Sequence, residues 1–446
     1  MLSTCGLSDP TSSAKVHFVL PRVRAGILKW FVLVVLLAGC TTAHSENIKS
    51  ERHRAEQMLN LVSKDVQNNF YDESLKGLDW PGLTEQARQR IENAGQHGEM
   101  MGAISALLFQ LHDSHTTFIP PDRKIKARYG FKAQPFADKI FVYQVDKDGP
   151  AAKAGLQLGD EIVGVNNVNA VRGTFSSMMR YLTVLDPRIE LNIEVVQNGS
   201  GRTVKVPATL IPQPPEYFFA SLAGGPDNNA PERFYDFKDY GDGIRYLRVR
   251  TFAIRDAEIA GMIKPLKDAK FVIIDLRGNG GGILSTMVDF VAHFVSEPFE
   301  MASSISRRKS DPIHVQPDSP QIACPLLVLI DSSSASASEM FARSMQIHKR
   351  AVVIGDRSSG RVNSARFFWE PPGALRMTLP EPTFDWKAVE FGSEIAVAKI
   401  LMEGGEELEG RGVVPDEYCI PTPNDLRAER DPCLDRALTM ARQAKN

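Results

Sequence analysis

The stretch LLVLIDSSSASASEMFARSMQIHKRAVVIG, Leu326–Gly355, sets the fold class. It opens on an unbroken apolar run, Leu326–Ile330, of the length of a buried strand. A turn of serine and alanine follows, then apolar positions at helical spacing through Ser338–Ile347, then a second apolar run, Ala351–Ile354. Two short buried strands separated by a helix form a parallel crossover unit. The same alternation appears upstream, with strand-like runs at Ile244–Phe252 and Phe271–Leu276 and helical spacing over Ile283–Val295. The C-terminal half, from Tyr240 onward, is therefore expected to be an α/β layered domain with a largely parallel sheet.

The serine turn carries chemistry or a cap. A strand-to-helix turn can expose a nucleophile at a helix N-terminus, where free N–H groups and the helix dipole favour a developing oxyanion. Ser336 is placed for this, with the Ala337 amide beside it. The same residues, Ser336-Ala337-Ser338-Glu339, have the S-x-x-E spacing of a capping box, and on that reading Ser336 only caps the helix. Local spacing does not separate the two.

Two further motifs bear on the choice. DLRGNGGG, Asp275–Gly282, follows a buried run and precedes a helix, so its glycines can present backbone N–H groups. It lacks the Lys-Ser/Thr pair of a phosphate loop and the dinucleotide spacing. LHDSHTTFIPP, Leu111–Pro121, puts Ser114 and His115 in a polar turn after an apolar helix. A lone histidine serves as a base for Ser336 only where the fold brings the two together.

The remainder divides by pattern. Residues from about Ser50 to Leu111 are helical, with Met58, Leu59, Val62 and Val66, then Met100, Ile104, Leu107 and Leu111, at helical spacing. From Lys124 to Ile211 short strands alternate with turns, most specifically in FVYQVDKDGPAAKAGLQLGDEIVGVNNV, Phe141–Val168. This resembles a PDZ domain. The resemblance implies that Tyr129-Gly130-Phe131 receives a peptide's terminal carboxylate, with Phe131 and Leu158 lining an apolar pocket and the peptide adding as a strand.

The order of motifs, L-x-D-x-H-T-x-F-x-P, a PDZ-like segment, DLRGNGGG, SASASE and LEGRGVVPD (Leu408–Asp416), resembles the C-terminal processing (tail-specific) serine proteases. That family implies a crotonase-like α/β core, Ser336 as nucleophile, and the amides of Ala337 and Gly281 as oxyanion donors. Its usual base is a lysine after the next strand, and this chain has Gly360-Arg361 there. Arginine holds its proton too tightly to act as that base. The related tricorn proteases use a histidine preceded by serine and a glutamate before a G-V-x-P-D segment. The matching residues here are His115, Ser114 and Glu409, with His115 as base and Ser114 and Glu409 supporting it.

Ahead of all this, Arg22, Arg24 and Lys29 precede an apolar run, Trp30–Ala38, that ends in Leu37-Ala38-Gly39-Cys40. The run is too short to span a bilayer and has the length of a signal core. It resembles a bacterial lipoprotein signal, which implies a lipid on Cys40 and, with Thr42 rather than aspartate two places on, the outer membrane rather than the inner. Cys419 and Cys433 are a pair that an oxidising compartment permits to join.

The expected organisation is a lipoprotein signal over 1–40, a helical region carrying the Ser-His motif over 41–123, a β-rich PDZ domain inserted over 124–212, and a crotonase-like protease core over 213–446. The expected function is a periplasm-facing, membrane-anchored serine endopeptidase that takes unfolded polypeptides with apolar C-termini. The alternative is an inactive PDZ scaffold on the same fold. A net charge of −2 with no basic tract argues against nucleic acid as partner. No metal or cofactor is called for.

Overall fold

The computed structural model describes residues 25–121, 125–197, 199–212, 234–370, 377–378 and 390–444, with 25–46, 256 and 377–378 described by backbone alone. Residues 1–51 form one unit and 52–446 another. A helix runs Ala25–Asn69, across the boundary expected at residue 40. Arg22 and Arg24 lie outside the described residues, and Cys40 stands in this helix with its side chain outside them. Among the described residues no helix is long and apolar enough to cross a membrane.

The main sheet has the strand order Tyr235–Asp239, Ile244–Val249, Phe271–Asp275, Leu326–Ile330, Ala351–Gly355, Glu417–Tyr418. Its first pair is antiparallel and the rest are parallel. Alternate residues face opposite ways. Val272, Ile274, Val328 and Ile330 pack with Phe290, Phe341 and Met345 of the helices Leu284–Ala292 and Ala337–Ile347. Ile273, Leu327, Leu329 and Ile354 pack with Ala437, Leu438 and Ala441 of the helix Pro432–Gln443. Both faces are covered, which is why these strands are continuous apolar runs. Each fully buried Leu, Ile or Phe contributes about 1.5–3 kcal/mol over the exposed state.

A second, antiparallel sheet has the order Ser310–Val315, Phe299–Ile305, Phe391–Met402, Ser364–Glu370, Met377–Thr378. The strand Thr117–Ile119 adds to Phe391–Met402, with Thr117 opposite Glu394 and Ile119 opposite Gly392. This pairing fixes the turn of Leu111–Thr116 against the core. Behind it lie the helices Trp80–Asn93 and His97–Phe109, and the Trp80 indole N–H donates to Ser63 Oγ at 2.9 Å.

The inserted module is a third sheet, in the order Phe131–Phe136, Lys139–Val145, Glu161–Val165, Glu190–Gln197, Ser200–Pro207. The short helix Pro150–Lys153 is closed by Gly155 at φ +86°, in the left-handed conformation that ends such a turn. A two-stranded ribbon, Ile125–Arg128 with Thr209–Pro212, brings the module's two ends together.

Candidate active site

The serine turn is stitched to the glycine loop by hydrogen bonds. Ala335 N donates to Asn279 O at 2.9 Å, Gly278 N to Asp331 Oδ1 at 3.0 Å, and Ser334 Oγ to Leu276 O at 2.8 Å. Ser332 Oγ donates to Pro135 O at 2.6 Å and Ser333 Oγ to Gln134 Oε1 at 3.2 Å, both on the inserted module. Ser338 is fully buried. That leaves Ser336. It sits at the helix start with φ +56° and ψ −120°, a conformation that costs a non-glycine residue on the order of 1–3 kcal/mol. An ordinary cap residue has extended φ/ψ at no such cost.

What holds Ser336 there is its own N–H. It donates to Arg361 O at 2.6 Å and to Glu339 Oε2 at 3.0 Å. The Glu339 half of the capping box is thus formed. The other half is in place as well, with the Ser336 side chain facing the Glu339 N–H, which also goes to Ser336 O at 2.9 Å. Glu339 is wholly buried and also accepts from Arg361 N at 2.8 Å, Gly360 N at 2.7 Å and Ser358 Oγ at 2.5 Å. Burial raises its carboxyl above the usual range, and these donors offset that only in part. Sequence reasoning gave Glu339 only the role of a cap; its place in the site depends on Gly360 and Arg361, some twenty residues away in the chain.

Gly281 adjoins Ser336. At φ +102°, a Cβ there would stand 2.6 Å from Ser336 Cβ, 2.9 Å from Ala335 O and 3.2 Å from Ala337 N. The expectation that Gly281 offers its amide beside Ser336 needs correction. That N–H is turned onto Asn279 Oδ1 at 2.8 Å, because buried Asn279 is itself fixed by donating to Val249 O at 3.0 Å. Ala337 N is the first helical amide, which has no acceptor within its own helix.

His115 stands in the turn after the helix His97–Phe109. Asp113 Oδ1 accepts from His115 N and Thr116 Oγ1, both at 3.0 Å, while Asn363 Nδ2 donates to Asp113 Oδ2 at 2.8 Å. Ser114 Oγ meets His115 Nδ1 at 3.0 Å. Glu409 reaches this turn through the backbone, not the imidazole: Oε1 accepts from Ser114 N at 2.9 Å, and Oε2 from Val362 N at 2.9 Å and Asn363 N at 3.3 Å. Arg361 Nη2 donates to Ser114 O at 2.8 Å. Burial and then the nearby Arg361 guanidinium push His115 down to about 4, with the Glu409 charge opposing.

The inserted module meets the core here as well. Gln134 Nε2 donates to Asp331 Oδ2 at 3.2 Å, Ala137 N to Asp356 Oδ2 at 2.9 Å, and Arg180 Nη2 to Phe118 O at 2.7 Å. Of the residues expected to bind a peptide end, Tyr129 is buried in the module's core with its hydroxyl donating to Arg188 O at 2.5 Å. Gly130 has φ +75° and Phe131 begins a strand. Leu156, not Leu158, joins Tyr129 in the apolar core, and Leu158 lies in the turn whose Gly159 abuts Pro423 and Arg427. Cys419 and Cys433 are joined as a disulfide.

Comparison with known proteins bears on the fold. Residues 243–419 match the model of peptidase family S41, 141–186 that of a PDZ domain, and 52–105 that of the tricorn protease C1 domain. The chloroplastic C-terminal processing peptidase of Tetradesmus obliquus is 26% identical over 401 residues, covering 83% of this chain and 79% of its own. The carboxyl-terminal-processing protease of a Picosynechococcus strain is 23% identical over 418 residues, 90% of this chain and 91% of its own. Among solved structures, mature CPAF complexed with lactacystin superposes with a TM-score of 0.62 at 14% identity, over 88% of this chain and 98% of that one. The photosystem II D1 C-terminal processing protease gives 0.50 at 19% identity, over 83% and 93%. Both structural likenesses concern the fold.

Proposed function

We propose that this serine peptidase, a chain with the core of family S41 and relatives among the carboxyl-terminal processing proteases, cleaves polypeptide with Ser336 as nucleophile and His115 as base. Ser336 Oγ attacks the scissile carbonyl carbon while His115 takes its proton. The tetrahedral oxyanion forms beside Ala337 N. Collapse expels the amine, which receives the proton back from His115, and leaves an acyl-serine. Water then attacks the ester with His115 again as base, freeing the acid and restoring the serine. Ser114 Oγ on Nδ1 orients the imidazole, and Glu409 holds the Ser114 amide. A second oxyanion donor requires the Gly281 N–H to turn away from Asn279.

The observation that carries this reading is the backbone of Ser336. Its left-handed φ is imposed on a non-glycine residue at the start of a helix, beside a glycine with no room for a side chain. Strain of this kind has no use in a plain cap. The largely parallel main sheet with helices on both faces supports a crotonase-like description. The module over 124–212 supports capture of apolar C-termini, and the segment Leu37–Cys40 supports a lipid anchor at the periplasmic face of the outer membrane. The experiment is turnover of an unfolded polypeptide such as casein. Activity that Ser336→Ala abolishes supports the reading; no turnover by the unaltered chain favours the inactive scaffold.

A further inference from the structure

Resting on the serine–histidine reading above, we propose that Arg361 is a positioning residue, which clips the turn carrying His115 to the turn carrying Ser336. It touches both. Its carbonyl accepts the Ser336 N–H at 2.6 Å, and its guanidinium Nη2 donates to Ser114 O at 2.8 Å, across 247 residues of sequence. Its own N–H donates to Glu339 Oε2 at 2.8 Å.

Its neighbours repeat the division. Gly360 N donates to Glu339, the carboxylate that holds the serine, while Val362 N and Asn363 N donate to Glu409, the carboxylate that holds Ser114. Residues 360–363 are therefore a short bracket with one carboxylate on each side, Glu339 buried and Glu409 partly so. The Arg361 side chain is the one group of the bracket that spans from the serine turn to the carbonyl just before His115. Gly360, at φ +73°, has no room for a side chain because a Cβ would lie 2.9 Å from Arg411 N.

The bracket also sets the charge around the base. The charged groups facing the imidazole from neighbouring elements are Arg361 and Glu409, with Asp113 on its own turn. Arg180 and Glu394 also lie near Arg361. Burial first and then the fixed guanidinium disfavour the imidazolium, so His115 stays in its basic form at lower pH than a free histidine. Arginine suits both tasks, because it holds its charge and its planar fork fixes the direction of the bond to Ser114 O.

The test uses the full chain with Arg361→Met, Arg361→Lys and His115→Ala, assayed on an unfolded polypeptide across pH. A parallel NMR titration follows the His115 ring in the Ser336→Ala background, with and without Arg361→Met. We expect Arg361→Met to lower kcat about tenfold, the worth of one hydrogen bond from a charged donor, with KM little changed. We expect its acid limb and the His115 titration to move to higher pH by about one unit. Arg361→Lys keeps the charge and should keep the limb in place. Loss of charge that leaves both limb and ring titration where they were overturns the proposal, and the ring titration decides this even if the variant is too slow to assay. Full activity in His115→Ala instead sinks the serine–histidine reading, and the proposal with it.

Discussion

Glu409 Oε1 accepts the N–H of Ser114 at 2.9 Å, joining residues 295 apart in sequence. The same carboxylate takes Val362 N and Asn363 N on its other oxygen, so it locks the base-bearing turn to the bracket after the serine helix. Glu409→Gln puts an NH₂ where one oxygen accepted and removes the charge from the rest. Each lost charge-assisted bond costs about 1.5–3 kcal/mol. We expect a drop in stability of about 2 kcal/mol by urea unfolding and at least a tenfold loss in kcat. A variant that unfolds at the same urea concentration and turns over normally contradicts this role.

Gly281→Ala should be far more damaging than an exposed-loop glycine change. The new methyl would stand 2.6 Å from Ser336 Cβ and 3.2 Å from Ala337 N, where the oxyanion develops. We expect kcat to fall by about 100-fold or more, the scale of a lost oxyanion donor. Gly278→Ala is the control. It also has positive φ, at +75°, but meets only Arg248 Nη2 at 3.8 Å, so it carries the backbone strain without the obstruction.

The acid limb of kcat/KM reports the free enzyme's base. A free histidine titrates near 6.5. Here burial and Arg361 push His115 down to about 4, so we expect a limb centred near pH 4. The sign for stability follows. The unfolded chain takes up this proton near 6.5 while the folded one resists to about 4, so this contribution is full above 6.5 and is lost as pH falls toward 4. His115→Asn should flatten the fall of urea stability across that window. Glu394 works in the opposite sense: burial raises it to about 7, so its contribution is full below 4.5 and is lost as pH rises through 7. Glu394→Gln should therefore remove the loss between pH 4.5 and about 7.

For the inserted module, Gly130 at φ +75° turns the chain just before the strand Phe131–Phe136. If this loop binds a terminal carboxylate, peptides ending in a free acid should bind the Ser336→Ala chain at least tenfold more tightly than their amides, the worth of about 1.5–3 kcal/mol. Calorimetry with matched pairs measures it. Equal affinities make the module a spacer.

The parts of this fold legible in the sequence are those whose cause is local. Leu326–Ile330 and Phe271–Ile274 are apolar throughout because helices cover both faces of their sheet, and the serine and glycine turns between strand and helix follow from that placement. The antiparallel sheet was not legible. Phe391–Met402 is buried on parts of both faces, so its pattern does not alternate cleanly, and its pairing with Thr117–Ile119 is set by contacts nearly 280 residues apart. Ser336 and His115 could be singled out by their turns. That Arg361 reaches Ser114, that the Gly281 amide faces Asn279, and that Gly159 abuts Pro423 are long-range outcomes with no local signature.

The central claim is that His115, and not the residue at 361, activates Ser336. The rate of covalent labelling by a fluorophosphonate tests it most directly, since the probe reports the activated hydroxyl and needs no natural substrate. Labelling should vanish in Ser336→Ala, fall about 10²–10⁴-fold in His115→Ala as for loss of a general base, and stay within about tenfold of the unaltered chain in Arg361→Met. Labelling of His115→Ala at the unaltered rate, or its loss in Arg361→Met alone, would contradict the account.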